Sequence, residues 1–550
     1  MRRAVLISVA LGLAALGWAL SAPAPVSASA APWPVFTDVT EKAGIHFTHS
    51  IGDHELSNIV EGTGAGACVF DYDNDGFLDI YFVNGRWTKG VSDNRGRDLI
   101  GQLRNALYHN NGDGTFTDVT EKAGVAGGDH YGFSCSTADI DGDGYQDLYV
   151  LNYGQNQFFH NNGNGTFTDI TEKTGLGDAS WSLSAPWLDY NGDGKLDVFV
   201  ANYLEYDDGK FRSFYAAAGY PGPLSYNGQQ NHLFRNNGDS TFTDVTKETG
   251  LVNPNGRAMS AVAVDLNNDG FPDIYVANDS MESYYYENTG QGAFVEKGAV
   301  TGLAFSENGQ GVSHMGPSIG DVDRDGRFDI LIPDMNYGSL LMNRGKFFED
   351  TISRSGLAVI CAQSAGWAGL LTDFDNDGYL DAFVSLGDAH HEYAQNQIIT
   401  RNDGKGRFAD MADVSGDYFK TKYVGRGALY FDFDNDGDVD ILTINLDSPA
   451  HLLRNDGGNK LNHWLTVDLR LANGKTPAIG ARVTATTGQL KQIEEYVGVR
   501  GYLAQNDIRA HFGLGQAVKV DQIEIRWPNG KLQQLRDVPA DQILKVVQGG

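Results

Sequence analysis

One nine-residue motif constrains this chain more than any other feature. It reads Asp-Tyr-Asp-Asn-Asp-Gly-Phe-Leu-Asp from Asp71 to Asp79. Six further stretches repeat its spacing, and they are Asp139–Asp147, Asp189–Asp197, Asp265–Asp273, Asp321–Asp329, Asp373–Asp381 and Asp432–Asp440. Positions 1, 3, 5 and 9 offer hard oxygen ligands, the glycine at position 6 permits a sharp turn, and position 7 offers its backbone carbonyl. That donor set suits Ca²⁺.

The predicted metal ligands occupy positions 1, 3, 5, 7 and 9 of each loop. They are Asp71, Asp73, Asp75, Phe77, Asp79, Asp139, Asp141, Asp143, Tyr145, Asp147, Asp189, Asn191, Asp193, Lys195, Asp197, Asp265, Asn267, Asp269, Phe271, Asp273, Asp321, Asp323, Asp325, Arg327, Asp329, Asp373, Asp375, Asp377, Tyr379, Asp381, Asp432, Asp434, Asp436, Asp438 and Asp440. One Asx-rich turn would carry little information, but seven in one register predict up to seven calcium ions. Asn191 and Asn267 each replace a carboxylate, so those two loops should bind more weakly.

The loops differ from EF-hands. Position 12, which would need a bidentate Glu, holds Phe82 in the first copy and an apolar residue or Thr in the others. Each loop runs instead into a β-rich segment, such as Asp79–Val83 or Asp273–Ala277. The sequence therefore predicts that each ion lies in a β-hairpin.

A second repeated signature gives the number of strands. Phe-Thr-Asp-Val-Thr begins at Phe36, and close or eroded copies begin at Phe116, Phe167, Phe242, Phe294, Phe348 and Phe408. An Asn-Gly type turn, which is a strong hairpin signal, precedes the six later copies. Each unit thus has four strands, and seven units predict an all-β, seven-bladed β-propeller. The first copy has no turn before it and the last turn, Asn455–Gly458, has no such strand after it, so the N-terminal strand should complete the last blade.

The strand order assigns the connections to two faces. Calcium loops and Asn-Gly turns share one face, whereas the blade-to-blade links and the insertions 84–104, 203–230 and 386–396 share the other. The candidate ligand-binding residues on this second face are His54, Glu61, His130, Tyr215, Tyr220, Arg257, His314, Trp367, His390, His391 and Arg426. Polar and aromatic groups at the mouth of a ring are a common place for a ligand. A structural or solvated role is the alternative for each, and the adjacent histidines lack a spaced partner for a transition metal.

The composition restricts the classes of partner that this chain is expected to bind. The 69 glycines against 15 prolines suit many tight turns, and 550 residues are enough for more than one domain. The formal net charge of -30, much of it in the acidic loops, disfavours nucleic acid and anionic membrane surfaces. Cys68, Cys135 and Cys361 are odd in number and unclustered, so we expect small buried residues rather than a disulfide framework or a zinc site.

Three regions follow along the chain. Arg2 and Arg3, an apolar run over 4–20 and small residues up to Ala30 predict a signal peptide over 1–30 and a secreted, periplasmic or extracellular protein. An uncleaved membrane anchor is the alternative. The propeller should cover 36–460. Beyond it, 461–550 alternates short strands with glycine turns and predicts a small β-sandwich.

The two repeated signatures together resemble the FG-GAP/VCBS repeats of integrin α-subunit propellers. The segments 478–483, 501–506, 511–515 and 525–530 resemble the ASPIC/UnbV domain. This pairing is similar to that of the cartilage acidic protein family. The resemblance implies a calcium-loaded, secreted propeller with an appended β-domain and, for animal members, a matrix or cell-surface interaction role. Relatives often carry cysteines in the insertion 203–230, where this chain has none, so any disulfide that orders that loop elsewhere is missing here.

Three functions remain open from the sequence. Gly-x-Ser-x-Gly, His-Glu-x-x-His and P-loop motifs are absent, which favours a module that binds a glycan, a protein or a small molecule. The alternative is a calcium-dependent cyclase, isomerase or polysaccharide-cleaving enzyme, with Glu61 and His130, His314 or His390 as acid/base groups in the propeller funnel, on the face opposite the calcium loops. The third is a purely architectural role.

Overall fold

The computed structural model describes residues 32–207, 219–362, 364–390 and 392–549. The predicted signal peptide, Tyr215 and His391 lie outside these residues. Within them, strands form seven sheets built on four antiparallel strand positions, two of which gain a fifth strand, and a C-terminal unit adds two more sheets. The fold class is therefore all-β, as predicted.

The seven sheets follow one another along the chain, and we number them blades 1 to 7. Blades 1 to 3 contain Ala67–Phe70, Asp79–Phe82, Ala106–Asn110 and Phe116–Asp118; Tyr131–Ala138, Asp147–Tyr153, Gln157–Asn161 and Phe167–Asp169; and Ser182–Ser184 with Trp187–Leu188, Asp197–Asn202, His232–Asn236 and Phe242–Asp244. Blades 4 to 6 contain Ala258–Val264, Asp273–Asn278, Tyr284–Asn288 and Phe294–Glu296; Ser318–Gly320, Asp329–Ile332, Ser339–Asn343 and Phe348–Asp350; and Gly366–Thr372, Asp381–Leu386, Ile398–Asn402 and Phe408–Asp410. Blade 7 contains Gly425–Phe431, Asp440–Asn445, His451–Asn455 and the N-terminal strand Phe36–Asp38.

The N-terminal strand completes blade 7, and this prediction is confirmed. Phe36 lies opposite Asn455 in an antiparallel pair. Blades 7 and 1 also share a hydrophobic core, in which Phe431 of blade 7 packs in the same cluster as Val69 of blade 1. The chain therefore forms a seven-bladed β-propeller.

The repeated Asp-Val-Thr-Glu-Lys-Ala-Gly sequence explains how the outer strands end. Asp118 Oδ1 accepts hydrogen bonds from the Thr120 backbone NH and hydroxyl, at 3.0 and 2.6 Å. The helical turn Thr120–Ala123 then stops at Gly124, whose φ of 79° is unfavourable for other residues. The link to the next blade starts there.

The other elements are short. The helices are Ile59–Thr63, Thr120–Ala123, Thr171–Thr174, Gly298–Thr301, Ile352–Ser355, Leu357–Cys361 and Gly458–Leu461, with 3₁₀ turns at Arg95–Leu99, Pro223–Ser225, Ala412–Val414 and Tyr418–Lys420. Two ribbons pair Leu204–Glu205 with Asn227–Gly228, and Gln395–Asn396 with Lys422–Tyr423. Among the described residues, no helix has the length and apolar character needed to cross a membrane.

The C-terminal unit is a two-sheet β structure around its own core. One sheet joins Ala510–Gly515, His463–Arg470 and Gln542–Val547; the other joins Leu490–Glu495, Arg482–Thr487, Lys519–Arg526 and Leu532–Pro539. Leu465, Val483, Phe512 and Trp527 are buried between them.

A loop of this unit enters the centre of the ring. The segment Arg500–Asn506, here named the central plug, contributes Ala504–Gln505 as an extra parallel strand beside Ala67 and Cys68. It also bonds to other inner strands and links: Gly501 NH donates to Pro317 O, Ser260 Oγ to Gly501 O, Thr137 NH to Gln505 Oε1, Tyr430 NH to Asn506 Oδ1 and Tyr502 OH to Thr63 O. Gly66 and Gly316 permit the approach, since a Cβ there would meet Leu503 O at 1.6 Å and Tyr502 N at 2.2 Å.

Two cysteines differ from the expectation. Cys68 of blade 1 and Cys135 of blade 2 form a disulfide with Cα atoms 5.8 Å apart. Both are buried, as expected, and Cys361 is a buried free thiol. The inner strands of successive blades bring together residues separated by 67 positions, which is why the spacing hid the pair.

Candidate metal loops and ligand pocket

The backbone holds the first and last carboxylates of each acidic loop. Asp71 Oδ1 and Oδ2 accept from the NH groups of Asp75 and Gly76, at 3.0 and 3.1 Å. Asp79 accepts from the NH groups of Tyr72 and Asn110. In the other six loops the first Asp accepts in the same way from the glycine NH at position 6, namely Gly144, Gly194, Gly270, Gly326, Gly378 and Gly437. The repeated sequence thus encodes a repeated conformation.

The carboxylates of at least three loops converge, which is what a divalent ion requires. The ligand atoms of Asp71, Asp73 and Asp75 lie within 4.8 Å of one another. Asp139, Asp141 and Asp143, and Asp321, Asp323 and Asp325, form equivalent groups. One oxygen each of Asp73, Asp323, Asp434 and Asp438 is buried without a hydrogen-bond partner among the described residues. These residues fit a hard cation, which would satisfy the orphaned oxygens.

Burial makes the ionised carboxylates of these loops energetically unfavourable without a counter-charge. It raises the pKa of Asp79 and of Asp321 to about 7, and that of Asp273 to about 8. Desolvation disfavours the carboxylate form in each case. A bound cation would reverse that penalty.

In blades 1 and 2, a histidine on the third strand lies beside the acidic loop, and the loop motif did not reveal it. The ligand atoms of Asp73, Asp79 and His109 lie within 4.8 Å of one another. His160 repeats the arrangement in blade 2, with Nδ1 2.8 Å from Asp147 Oδ1. In blade 6 the same strand position holds Arg401, whose Nη2 lies 2.7 Å from Asp375 Oδ2. In the sequence, this additional group is the residue immediately before the Asn that ends each third strand.

The C-terminal unit lies on the metal-loop face. Arg526 Nη2 is 2.8 Å from Asp265 Oδ2 in the loop of blade 4, and Arg482 Nη1 donates to Asn268 Oδ1 at 2.6 Å. Contacts to other loops are Thr476 Oγ1 to Asp139 Oδ2, Arg509 Nη1 to Asn435 Oδ1 and His511 Nε2 to Asn376 Oδ1. The loops of blades 2, 4, 6 and 7 are therefore covered by this unit.

The opposite face contains a central cavity of about 200 Å³. Its walls come from connections and strand starts of several blades, and they include Tyr203, Tyr220, Met259, Asp279, Met315 and Trp367. Beneath it, the ring of Tyr502 lies 5.1 Å from that of Trp367. The central plug thus lies under the pocket.

Tyr220, Trp367 and His390 are the predicted residues that line this pocket. The Tyr220 hydroxyl donates to Ala389 O, and its ring lies 5.1 Å from that of His390. Trp367 Nε1 donates to Gly387 O at 2.7 Å. These bonds hold the aromatic rings in fixed positions.

Arg426 lies behind Trp367, with its guanidinium 4.0 Å from the ring centroid. It is fully buried and donates to the carbonyls of Gly62, Gly425 and Asp388. Burial lowers its pKa to about 10. Arg426 therefore braces the pocket wall from outside.

The remaining described candidates lie away from the pocket lining. His54 pairs with Asp98 on the surface, and Arg257 Nη2 donates to Tyr226 O at 3.1 Å. Sequence reasoning left Tyr203, Met259, Asp279 and Met315 outside the candidate set, because nothing local marks which strand ends face the ring centre.

Glu61, His130 and His314 do not share a site, whereas the fourth predicted acid/base residue, His390, lines the central pocket. Glu61 is buried and Oε2 accepts from the NH and hydroxyl of Ser57. His314 is buried, with Nδ1 2.8 Å from Ser283 Oγ, and burial lowers its pKa to about 4. His130 lines a separate groove of about 490 Å³. This arrangement favours binding over acid/base catalysis by these residues.

Comparisons with known proteins agree with the architecture. The model of the FG-GAP-like repeat matches residues 71–150, 139–200, 224–276, 265–332 and 373–443, and that of ASPIC and UnbV matches 472–550. Cartilage acidic protein 1 of Homo sapiens is 27% identical over 445 residues, covering 75% of this chain and 62% of the human protein. The Xenopus tropicalis protein is 28% identical over 429 residues, covering 72% of this chain and 61% of its own. The chain thus spans about three fifths of the length of the curated relatives it matches.

Among solved structures, an Agrocybe aegerita lectin that recognises non-reducing terminal N-acetylglucosamine aligns with a TM-score of 0.37 and 19% identity. The alignment covers 70% of this chain and 85% of the lectin.

Proposed function

The chain belongs to the FG-GAP-like repeat family, and we propose that it is a secreted, calcium-stabilised binding module. Its ligand site is the central pocket on the face opposite the metal loops. The observation that carries this proposal is the cavity itself, a concave site with aromatic walls at the mouth of a rigid ring. The separation of Glu61, His130 and His314 supports binding rather than catalysis.

The metal part of the proposal is that each acidic loop holds one calcium ion. Side chains at positions 1, 3, 5 and 9 and the carbonyl at position 7 would coordinate it. The ion would offset the desolvation of the buried carboxylates and fix each hairpin. We assign 36–460 to the propeller and 461–550 to the β-domain. The disulfide between Cys68 and Cys135 supports export, because disulfides persist in oxidising compartments.

Calcium removal tests the metal part. At ~1 mM calcium and a Kd of ~0.1 mM, each site adds about 1.4 kcal/mol, and seven sites add about 10 kcal/mol. We expect a chelator to lower the melting temperature strongly, and mass spectrometry to show up to seven ions. Asp71→Asn should lose one ion, whereas Asp129→Asn, at an exposed position, should lose none. A melting temperature unchanged by chelation would refute calcium stabilisation.

A binding screen tests the pocket part. The calcium-loaded chain would be applied to glycan, protein and small-molecule panels, and hits would be compared with two variants. Tyr220→Ala removes a pocket wall, whereas Tyr337→Ala removes an exposed tyrosine outside the pocket lining. Loss of binding in the first variant alone is expected. A hit that survives Tyr220→Ala, or panels without any hit, would count against the proposal.

A further inference from the structure

The pocket contains a buried carboxylate that has no cationic partner among the described residues. Asp279 lines the cavity and is 5% exposed. The Tyr203 hydroxyl donates to its Oδ2 at 2.5 Å, and the Ser280 hydroxyl donates to its Oδ1 at 3.0 Å. No lysine, arginine or histidine of the described chain forms an ion pair with it.

A positively charged ligand would stabilise the buried Asp279 carboxylate. Removing a carboxylate from water is costly unless it is paired, and two neutral hydroxyl donors replace only part of its hydration. Each oxygen of Asp279 has a further lone pair, so the carboxylate can accept more hydrogen bonds than Tyr203 and Ser280 donate.

Two arginines near the pocket direct their guanidinium hydrogen bonds away from Asp279. Arg257 meets Asp279 through its backbone, where its carbonyl accepts from the Asp279 NH at 2.8 Å. Its Nη2 and Nη1 donate instead to Tyr226 O and to Met281 Sδ, and its buried Nε has no hydrogen-bond partner among the described residues. Arg426 lies behind Trp367 and donates to three backbone carbonyls. Neither guanidinium is a pocket wall.

The rest of the cavity suits a cation with an apolar body. Tyr203, Tyr220 and Trp367 are aromatic walls, and electron-rich aromatic rings attract ammonium groups. Met259, Met315 and Met335 also line it, which is three of the seven methionines of the chain. Thioethers are polarisable and adapt to the shape of an apolar ligand.

The size of the cavity limits the part of a ligand that can enter it. Its volume of about 200 Å³ equals the share of roughly seven water molecules at ~30 Å³ each. Pockets for drug-sized ligands are larger. A short amine or a small quaternary ammonium compound matches this volume.

We propose that the pocket binds a small organic cation, with its ammonium group on Asp279 and its apolar part against the aromatic and methionine walls. The inference rests on the proposed function, because it assigns a ligand class to that same pocket. It adds a requirement that the pocket alone does not impose, namely a positive charge on the ligand.

The test compares charged and neutral ligands of the same shape on the calcium-loaded full chain. Cyclohexylamine and cyclohexanol form one pair, and choline and 3,3-dimethylbutanol form another. Isothermal titration calorimetry should show at least tenfold tighter binding of the charged member in one or both pairs. Equal affinities within both pairs, or no binding of either cation at millimolar concentration, would overturn the inference.

Asp279→Asn tests the carboxylate with little change of shape, and Asp129→Asn is the control for a lost exposed charge. The first variant should lose at least tenfold in affinity for the cation, and the second should bind like the wild type. Cation binding that survives Asp279→Asn contradicts the proposal. If that variant fails to fold, the matched ligand pairs on the wild type still decide.

The two proposals fail in different ways. A neutral glycan or a protein whose binding is lost in Tyr220→Ala would keep the binding module and reject the organic cation. Ligand binding insensitive to every pocket substitution would reject both.

Discussion

Replacing Glu61 by Gln should stabilise the protein above neutral pH and have little such effect in acid. The Glu61 side chain is fully buried, and its Oε1 has no hydrogen-bond partner. Burial, opposed by hydrogen bonds from Ser57, raises the pKa of Glu61 from 4.5 to about 7. The folded state therefore holds a proton that the unfolded state releases at lower pH.

The sign follows from proton linkage. A carboxyl group with a raised pKa in the folded state costs no stability below its unfolded pKa, and it costs more as the pH rises through the window from 4.5 to about 7. These two values give a cost that grows by about 2.5 kcal/mol between pH 5 and pH 8. Gln has no proton to lose and avoids this cost.

Paired urea denaturation of wild type and Glu61→Gln at pH 5 and pH 8, in saturating calcium, measures the effect. The difference in unfolding free energy should favour the variant more at pH 8, by about 2.5 kcal/mol. Glu172→Gln, at an exposed position, is the control and should show no such change. A difference between Glu61→Gln and wild type that is the same at both pH values would refute the reasoning.

Three further predictions concern contacts that connect different parts of the molecule. Tyr502→Ala should destabilise by about 3–5 kcal/mol and Tyr502→Phe by about 1 kcal/mol, read by denaturation and limited proteolysis; equal effects would contradict the packing role of the ring. Reduction of Cys68–Cys135, whose residues lie 67 positions apart, should cost about 4 kcal/mol, and a melting temperature unaffected by reductant would contradict this. In chelator, Arg526→Ala and Asp265→Asn should each destabilise, and their double-mutant cycle should show coupling of about 1 kcal/mol; additive effects would show that the ion pair adds nothing.

Much of the ring could be predicted because its information is local and repeated. The glycine at position 6 and the Asp at position 1 of each loop form the same hydrogen bond in all seven copies. The unpaired signature at Phe36 predicted which strand would complete blade 7, since a four-stranded unit lacking one strand needs another from elsewhere in the chain. Because the units repeat, a unit that lacks one strand can be recognised in the sequence.

The pocket could be predicted only in part. Tyr220, Trp367 and His390 belong to insertions and strand starts that the strand order placed on the correct face. Asp279 and the methionines follow or begin ordinary strands, and their neighbours in sequence resemble those of the other blades. Which of seven similar strand ends turns a side chain to the ring centre depends on packing between blades, which no single repeat encodes.

The position of the central plug could not be predicted from local sequence, for a different reason. Its sequence predicts a glycine-containing loop of the C-terminal unit, and a loop's destination depends on how two units dock. Docking is fixed by contacts distant in sequence, such as Arg526 with Asp265 and Tyr502 with Thr63. The glycines that receive the plug, Gly66 and Gly316, have no mark that separates them from the many turn glycines of the chain.

The plug also joins the two faces of the ring by a continuous set of contacts. The Asp265 NH, in the metal loop of blade 4, donates to Glu495 Oε1, and Glu495 O accepts from Arg500 at the start of the plug. Two residues further, Tyr502 lies under Trp367 of the pocket. A change in the blade 4 loop therefore bears on the residue below the pocket through covalent and hydrogen-bonded steps. Because this loop carries Asn267 in place of a carboxylate, it is predicted to bind calcium more weakly than most, and we expect its contacts with Glu495 and Arg526 to stabilise it in addition to the ion.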